Sequence, residues 1–172
     1  MRGSDFRVDG FAGYHYFHQR MKAFGCQQTA SNPFICAGGI PTSVAVIIED
    51  DTWQALRLGL NADIPLVDRF RLNLEAAWLP YAWFSGSDNH LLRPDLPAPI
   101  KEDGHGWGYQ LEAMLTYRYD ETISLGAGAR YWHMQSKGSA HFEDIGGSLQ
   151  PLDFKANIYG VIVQASYRFG PF

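Results

Sequence analysis

Five stretches of this chain place apolar side chains at every second position, and a period of two commits most of it to β-strands. From Trp53 to Asp63, Leu56, Leu58, Leu60 and Ala62 share one face while Arg57, Gly59 and Asn61 share the other. Phe70, Leu72, Leu74, Ala76 and Trp78 then stand opposite Arg71, Asn73 and Glu75. Tyr109, Leu111, Ala113, Leu115, Tyr117 and Tyr119 alternate with Gln110, Glu112, Met114, Thr116 and Arg118. Ile123 to Tyr131 and Tyr159 to Phe169 repeat the pattern, and a sixth strand is predicted from Val8 to Lys22, where the alternation is less regular.

A period of two does not say which face is wet. A soluble barrel of the lipocalin kind turns its apolar face inward, whereas a membrane barrel turns it outward. Ring positions favour the membrane. Tyr117, Tyr119, Tyr167 and Phe169 gather at one end of the apolar face and Trp78 and Tyr131 at the other, as two interfacial girdles require. The chain also ends on Tyr167-Arg168-Phe169-Gly170-Pro171-Phe172, an alternating run with a terminal aromatic. Predicted connections alternate too: long around 24–51, 85–106 and 136–153, short around 64–69 and 120–121. Long loops are then expected outside the cell, with both termini on the periplasmic side of a bacterial outer membrane. Mean hydropathy is negative, yet strands that show lipid only every second residue stay polar on average.

With 172 residues, 46% of them hydrophobic and 15% aromatic, the chain suits one ordered domain spanning 1–172. A net charge of -4 without Lys/Arg clusters excludes a nucleic-acid binder. Cys26 and Cys36 share one Gly- and Asn-containing loop, where either a disulfide or two free thiols is open, the disulfide being expected in an oxidising compartment. Arg57, Arg71, Glu75, Glu112, Arg118, Arg130 and Arg168 fall on the polar face, where opposite charges on neighbouring strands can pair inside the barrel wall. About six strands are too few for a single-chain outer-membrane barrel, which starts at eight. Met1-Arg2-Gly3-Ser4 carries no apolar core of a secretory signal. Both observations lead to the expectation of an N-terminally truncated part of a larger barrel of about ten strands, or of copies that together complete one wall.

Asp88-Asn89-His90 follows the second strand pattern at its long-loop end, and two residues apart on an extended chain the Asp and His share a face. A carboxylate so placed can hold an imidazole in one tautomer, ready to take a proton from water. Around this pair the chain resembles the omptin family of outer-membrane proteases over most of its length. The likeness rests on Gly13-Tyr14-His15-Tyr16, on Val46-Ile47-Ile48 with Gln54 and Leu58-Gly59, on Trp83 to Asp88-Asn89-His90, on the Gly/Tyr-rich strand that follows, and on Tyr167-Arg168-Phe169. Their order is similar to the last six of an omptin's ten strands. The resemblance implies that Asp88 and His90 activate water for peptide cleavage between basic residues, together with an acidic pair on the opposite wall. That pair would belong to strands this chain lacks, which leaves catalysis incomplete. It also implies lipopolysaccharide as a partner, though no basic position here matches.

Glu49-Asp50-Asp51 and the loop acids Asp95, Glu102, Asp103, Glu143 and Asp144 would attract cationic peptides. Glu49-Asp50-Asp51 is the one local candidate to stand in for the absent acidic pair. His15, His18, His105, His133 and the two cysteines lack metal-ligand spacing, so neither metal nor other cofactor is expected. Gly126-Ala127-Gly128 lies inside a strand, not at a strand-to-helix turn, and is no nucleotide fingerprint. The alternative to a peptidase is a non-catalytic barrel with a structural, adhesive or porin-like role.

Overall fold

The computed structural model describes residues 6–29, 36, 38–96 and 98–169. The start Met1-Arg2-Gly3-Ser4 and the terminal Gly170-Pro171-Phe172 lie outside the described residues. Six antiparallel strands form one up-and-down sheet in chain order: β1 (Arg7–Cys26), β2 (Ile40–Pro65), β3 (Phe70–His90), β4 (Ile100–Arg118), β5 (Ile123–His141) and β6 (Leu149–Tyr167). Each strand pairs only with its chain neighbours, and among the described residues no ladder joins β6 to β1. The result is a curled half-barrel.

The turns at the lower end are tight for local reasons. Asp68 adopts a left-handed backbone (φ 47°) between β2 and β3, a conformation that Asp tolerates better than most residues. Between β4 and β5 the Asp120 carboxylate accepts hydrogen bonds from the backbone N–H groups of Thr122 and Ile123, both 2.7 Å. At the upper end the expected long connections are shorter than the sequence suggested. β2 begins at Ile40, β3 runs to His90 and β4 starts at Ile100. Pairing continues past the point where apolar alternation stops, because the ladder needs backbone groups and not greasy side chains. Cys26 and Cys36 are joined in a disulfide, with Cα atoms 5.7 Å apart.

The apolar face points out. Leu56, Leu58, Leu60, Leu74, Leu111, Leu125 and Val163 are all exposed, and Val161 is 82% exposed. A barrel with its apolar face inward is therefore not what this chain forms. On β4 the outward row runs from Trp107 through Tyr109, Leu111, Ala113 and Leu115 to Tyr117, with Lys101, Asp103 and His105 above it. Aromatic rings meet at both edges of that row: Trp78 with Trp107 and Tyr109 with Tyr131 above, Phe70 with Tyr117 and Tyr167 with Phe169 below.

The inner face carries the charges in pairs. Arg57 reaches Glu75 (2.6 Å) and Gln110 (2.5 Å), Arg71 holds Asp63 with two bonds of 2.9 and 2.7 Å, and Arg130 pairs with Glu112. Arg57 also lies 5.1 Å from the rings of Phe11 and Trp132, so its cation bridges β1 to β5 across the lumen. Above this network the inner face turns apolar, which the sequence reading did not anticipate. Trp53, Ala55, Leu79, Ala82, Phe84 and Met134 form a buried cluster, with Phe17 and Phe154 packed on it. Ring centroids lie 4.9 Å apart for Trp53–Phe84 and 4.0 Å for Phe84–Phe154, which ties β3 to β6 across the curl. Strands β4 and β5 approach so closely that a side chain at Gly106 or Gly138 would collide with the neighbouring backbone.

One irregularity sets the upper half of β3. Pairing with β2 passes from Leu58↔Trp78 to Ala55↔Ala82, and with β4 from Leu79↔Gly108 to Ala82↔Gly106, so β3 carries one extra residue at Pro80-Tyr81. Proline has no N–H to give a ladder and is accommodated at bulges. Below the bulge the inward residues of β3 are Arg71, Asn73, Glu75, Ala77 and Leu79; above it they are Ala82, Phe84, Gly86, Asp88 and His90. The phase has switched. Deleting Tyr81 removes the residue that the bulge absorbs and should leave the facing beyond it as it is, so that cysteines at positions 87 and 88 react with maleimide as they do in the parent; an exchange of their reactivities would show that the extra residue is not at Pro80-Tyr81.

Candidate functional site

Above the aromatic cluster, four carboxylates converge on the inner face. Glu49 is the direct cross-strand neighbour of Asp88, Asp51 is opposite Gly86, and Gly86 is in turn opposite Glu102. Glu49, Asp51 and Glu102 bring one oxygen each within 4.8 Å of one another. Asp51 is 4% exposed, and its Oδ2 accepts a hydrogen bond from Gln19 of β1 at 3.0 Å. Its Oδ1 is buried without a partner, as is Oδ1 of Asp88.

Asp88 and His90 stand side by side as their spacing predicts, with His90 Nε2 2.9 Å from Asp88 Oδ2. Both are partly shielded, His90 at 26% and Asp88 at 22% side-chain exposure. A neutral ring that carries its proton on Nε2, toward this carboxylate, has its lone pair on Nδ1. The imidazole can then take a proton at that atom.

These groups lie on strand extensions above the outward apolar row, where Lys101 and Asp103 flank Glu102. Burial and then the neighbouring charges of Glu49, Asp88 and Asp51 push Glu102 up to about 7. Burial likewise raises Asp51 and Glu49, with adjacent carboxylates adding to the effect. The site thus holds more negative charge than its surroundings neutralise.

The other acidic candidates are placed elsewhere. Asp50 faces outward toward His18 and Arg20, Asp95 pairs with Arg93, and Asp144 with Lys101. Asp103 and Glu143 both bind the ring of His141 on the outer surface. Glu49 and Asp51, the local stand-in considered for an opposing acidic pair, sit on the strand next to Asp88 and not across the lumen from it. Glu102 was legible only as loop charge; its β4 position beside Gly86 brings it into the site. Gly86 and Gln19 gave no sequence signal of their own.

The architecture defines the class: a curled antiparallel wall of an up-and-down barrel, with its apolar face outward. Among solved structures, the chain is similar to the crystal structure of the outer membrane protease OmpT from Escherichia coli, with a TM-score of 0.65 and 14% sequence identity. The match covers 98% of this chain and 60% of the OmpT chain, so the fold resemblance anticipated from the sequence is present. No family model and no curated protein matches.

An unfolded glutamate titrates near 4.5, so between there and about 7 the folded chain holds a proton on Glu102 that the unfolded chain has lost. Raising the pH through that window favours unfolding. Glu102→Gln should therefore raise the denaturant midpoint at pH 8 and leave it unchanged at pH 4, as measured by unfolding followed through tryptophan fluorescence. An equal effect at both pH values would show that carboxylate repulsion is not what the substitution relieves.

Proposed function

We propose that this chain forms part of the wall of an outer-membrane β-barrel and carries the water-activating side of an omptin-like surface peptidase site. The observation that carries this reading is the Asp88–His90 pair, turned inward by the β3 bulge and set beside uncompensated carboxylates. In this reading the outward row from Trp107 to Tyr117 meets acyl chains, its length matching the about 9–11 residues of a tilted membrane strand, and the rings at its two edges lie at the interfaces. The rim with Asp88 and His90 faces the exterior.

A barrel in lipid cannot leave strand edges unpaired. We infer that β1 and β6 pair either with further strands of a longer chain or with those of a second copy. An even number of strands permits both, because β6 and the β1 of another copy would meet antiparallel.

Asp88 fixes the tautomer of His90, and Nδ1 withdraws a proton from water as its oxygen attacks the peptide carbonyl carbon. The four inner carboxylates draw basic side chains toward this water. A passive conduit is the weaker reading: the stacked Trp53, Phe84 and Phe154 and the Arg57 bridge fill the space that ions would need.

His90→Ala in the complete barrel, assayed on a dibasic peptide in lipopolysaccharide-containing micelles, should lower kcat by about 10²–10⁴-fold, the usual contribution of a general base. Turnover equal to the parent would remove the peptidase reading and leave the non-catalytic barrel.

A further inference from the structure

We propose that Glu49, Asp51 and Glu102 form a binding site for a hard divalent cation, with calcium the best fit. Three observations beyond the acidic composition carry it. First, Asp51 is almost wholly buried, yet its Oδ1 is left without any hydrogen-bond partner. A buried carboxylate oxygen is costly unless a donor or a cation meets it. Second, the oxygens of Asp51 and Glu102 close over residue 86, which only a glycine permits: a Cβ there would stand 2.9 Å from Phe84 Cζ and 3.1 Å from both Asp51 Oδ1 and Glu102 Oε2. Third, no described Lys or Arg is paired with any of the three acids, since Arg20 is directed to Asp50 and Lys101 to Asp144.

The chemistry selects the ion. All three donors are carboxylate oxygens, which suit hard cations and not the softer metals that prefer His or Cys. Three oxygens within 4.8 Å of one another can share one ion, and the flexible shell of calcium, at about 2.4 Å, suits carboxylates fixed on two strands better than magnesium, which asks for near-ideal octahedral geometry and keeps several waters. The ligands come from two strands, β2 and β4, on either side of β3, so a bound ion fastens the rim across Gly86. The expectation of no metal rested on spacing along the chain; here the donors meet only through strand pairing. His90 stays with Asp88 and is not a ligand.

The experiment is a calorimetric titration of the folded chain in detergent with calcium chloride at pH 8, paired with thermal unfolding. One saturable site with Kd on the order of 10⁻⁴ to 10⁻³ M is expected, as in extracellular calcium modules, together with a higher unfolding temperature. Asp51→Asn/Glu102→Gln should abolish both effects, whereas Glu143→Gln on the outer surface should leave them intact. Absence of saturable binding up to about 10 mM, well beyond the weakest such sites, overturns the proposal, as does unaltered binding in the double variant. Should that variant fail to fold, terbium is the second probe. Trp53 lies two residues from Asp51 on the same face, so the wild type should sensitise terbium emission that calcium displaces, and Trp53→Phe should lose it. Emission unaffected by Trp53→Phe places the ion elsewhere and rejects the site. The cation site shares three carboxylates with the peptidase reading, yet the two fail separately: absence of calcium binding in the wild type removes the site and leaves the comparison of His90→Ala with the parent standing, and inactivity of the barrel leaves the titration unaffected.

Discussion

The inner face of this wall depends on a bulge in β3, because side chains on a strand alternate sides and one extra residue, unless a bulge absorbs it, sends every later residue to the opposite face. Without the Pro80-Tyr81 bulge, the phase that places Glu75 and Leu79 inside would turn Asp88 and His90 outward. Phe84 would go with them, and the aromatic stack beneath the site would lose its centre. The same local break thus places both the reactive pair and the apolar layer under it.

That layer divides the inner face into two electrostatic regimes. Below it, Arg57, Arg71 and Arg130 each meet a carboxylate, and the charges serve to hold strands together. Above it, among the described residues, Glu49, Asp51, Asp88 and Glu102 pair with no guanidinium, and His90 lies beside Asp88. Charge left unneutralised in a partly dry place is a structural expense that a purely scaffolding wall has no reason to carry. A cation, whether a bound metal or the side chain of a basic peptide, offsets it.

The similarity to OmpT bears on the path of the chain and not on its chemistry. At 14% identity the backbone course is shared while most side chains differ, and this chain spans 60% of the length of that protein. The functional reading therefore rests on the geometry of Asp88, His90 and their acidic neighbours. Fold alone would serve many roles.

The sequence by itself determined the strands and which residues share a face over most of their length, since period-two alternation at Leu56–Ala62, Phe70–Trp78 and Tyr109–Tyr119 separates two faces, and the aromatic residues at the ends of the apolar one marked it as outward. It also determined that Asp88 and His90 share a face, because that follows from two-residue spacing on any extended chain. Which face they share was decided only by the bulge, a feature set by pairing with β2 and β4 that leaves no periodic signal. The meeting of Glu49 and Asp51 with Glu102 was likewise beyond the sequence, for these residues are brought together by strand register, and register is a property of the assembled sheet and not of any one segment.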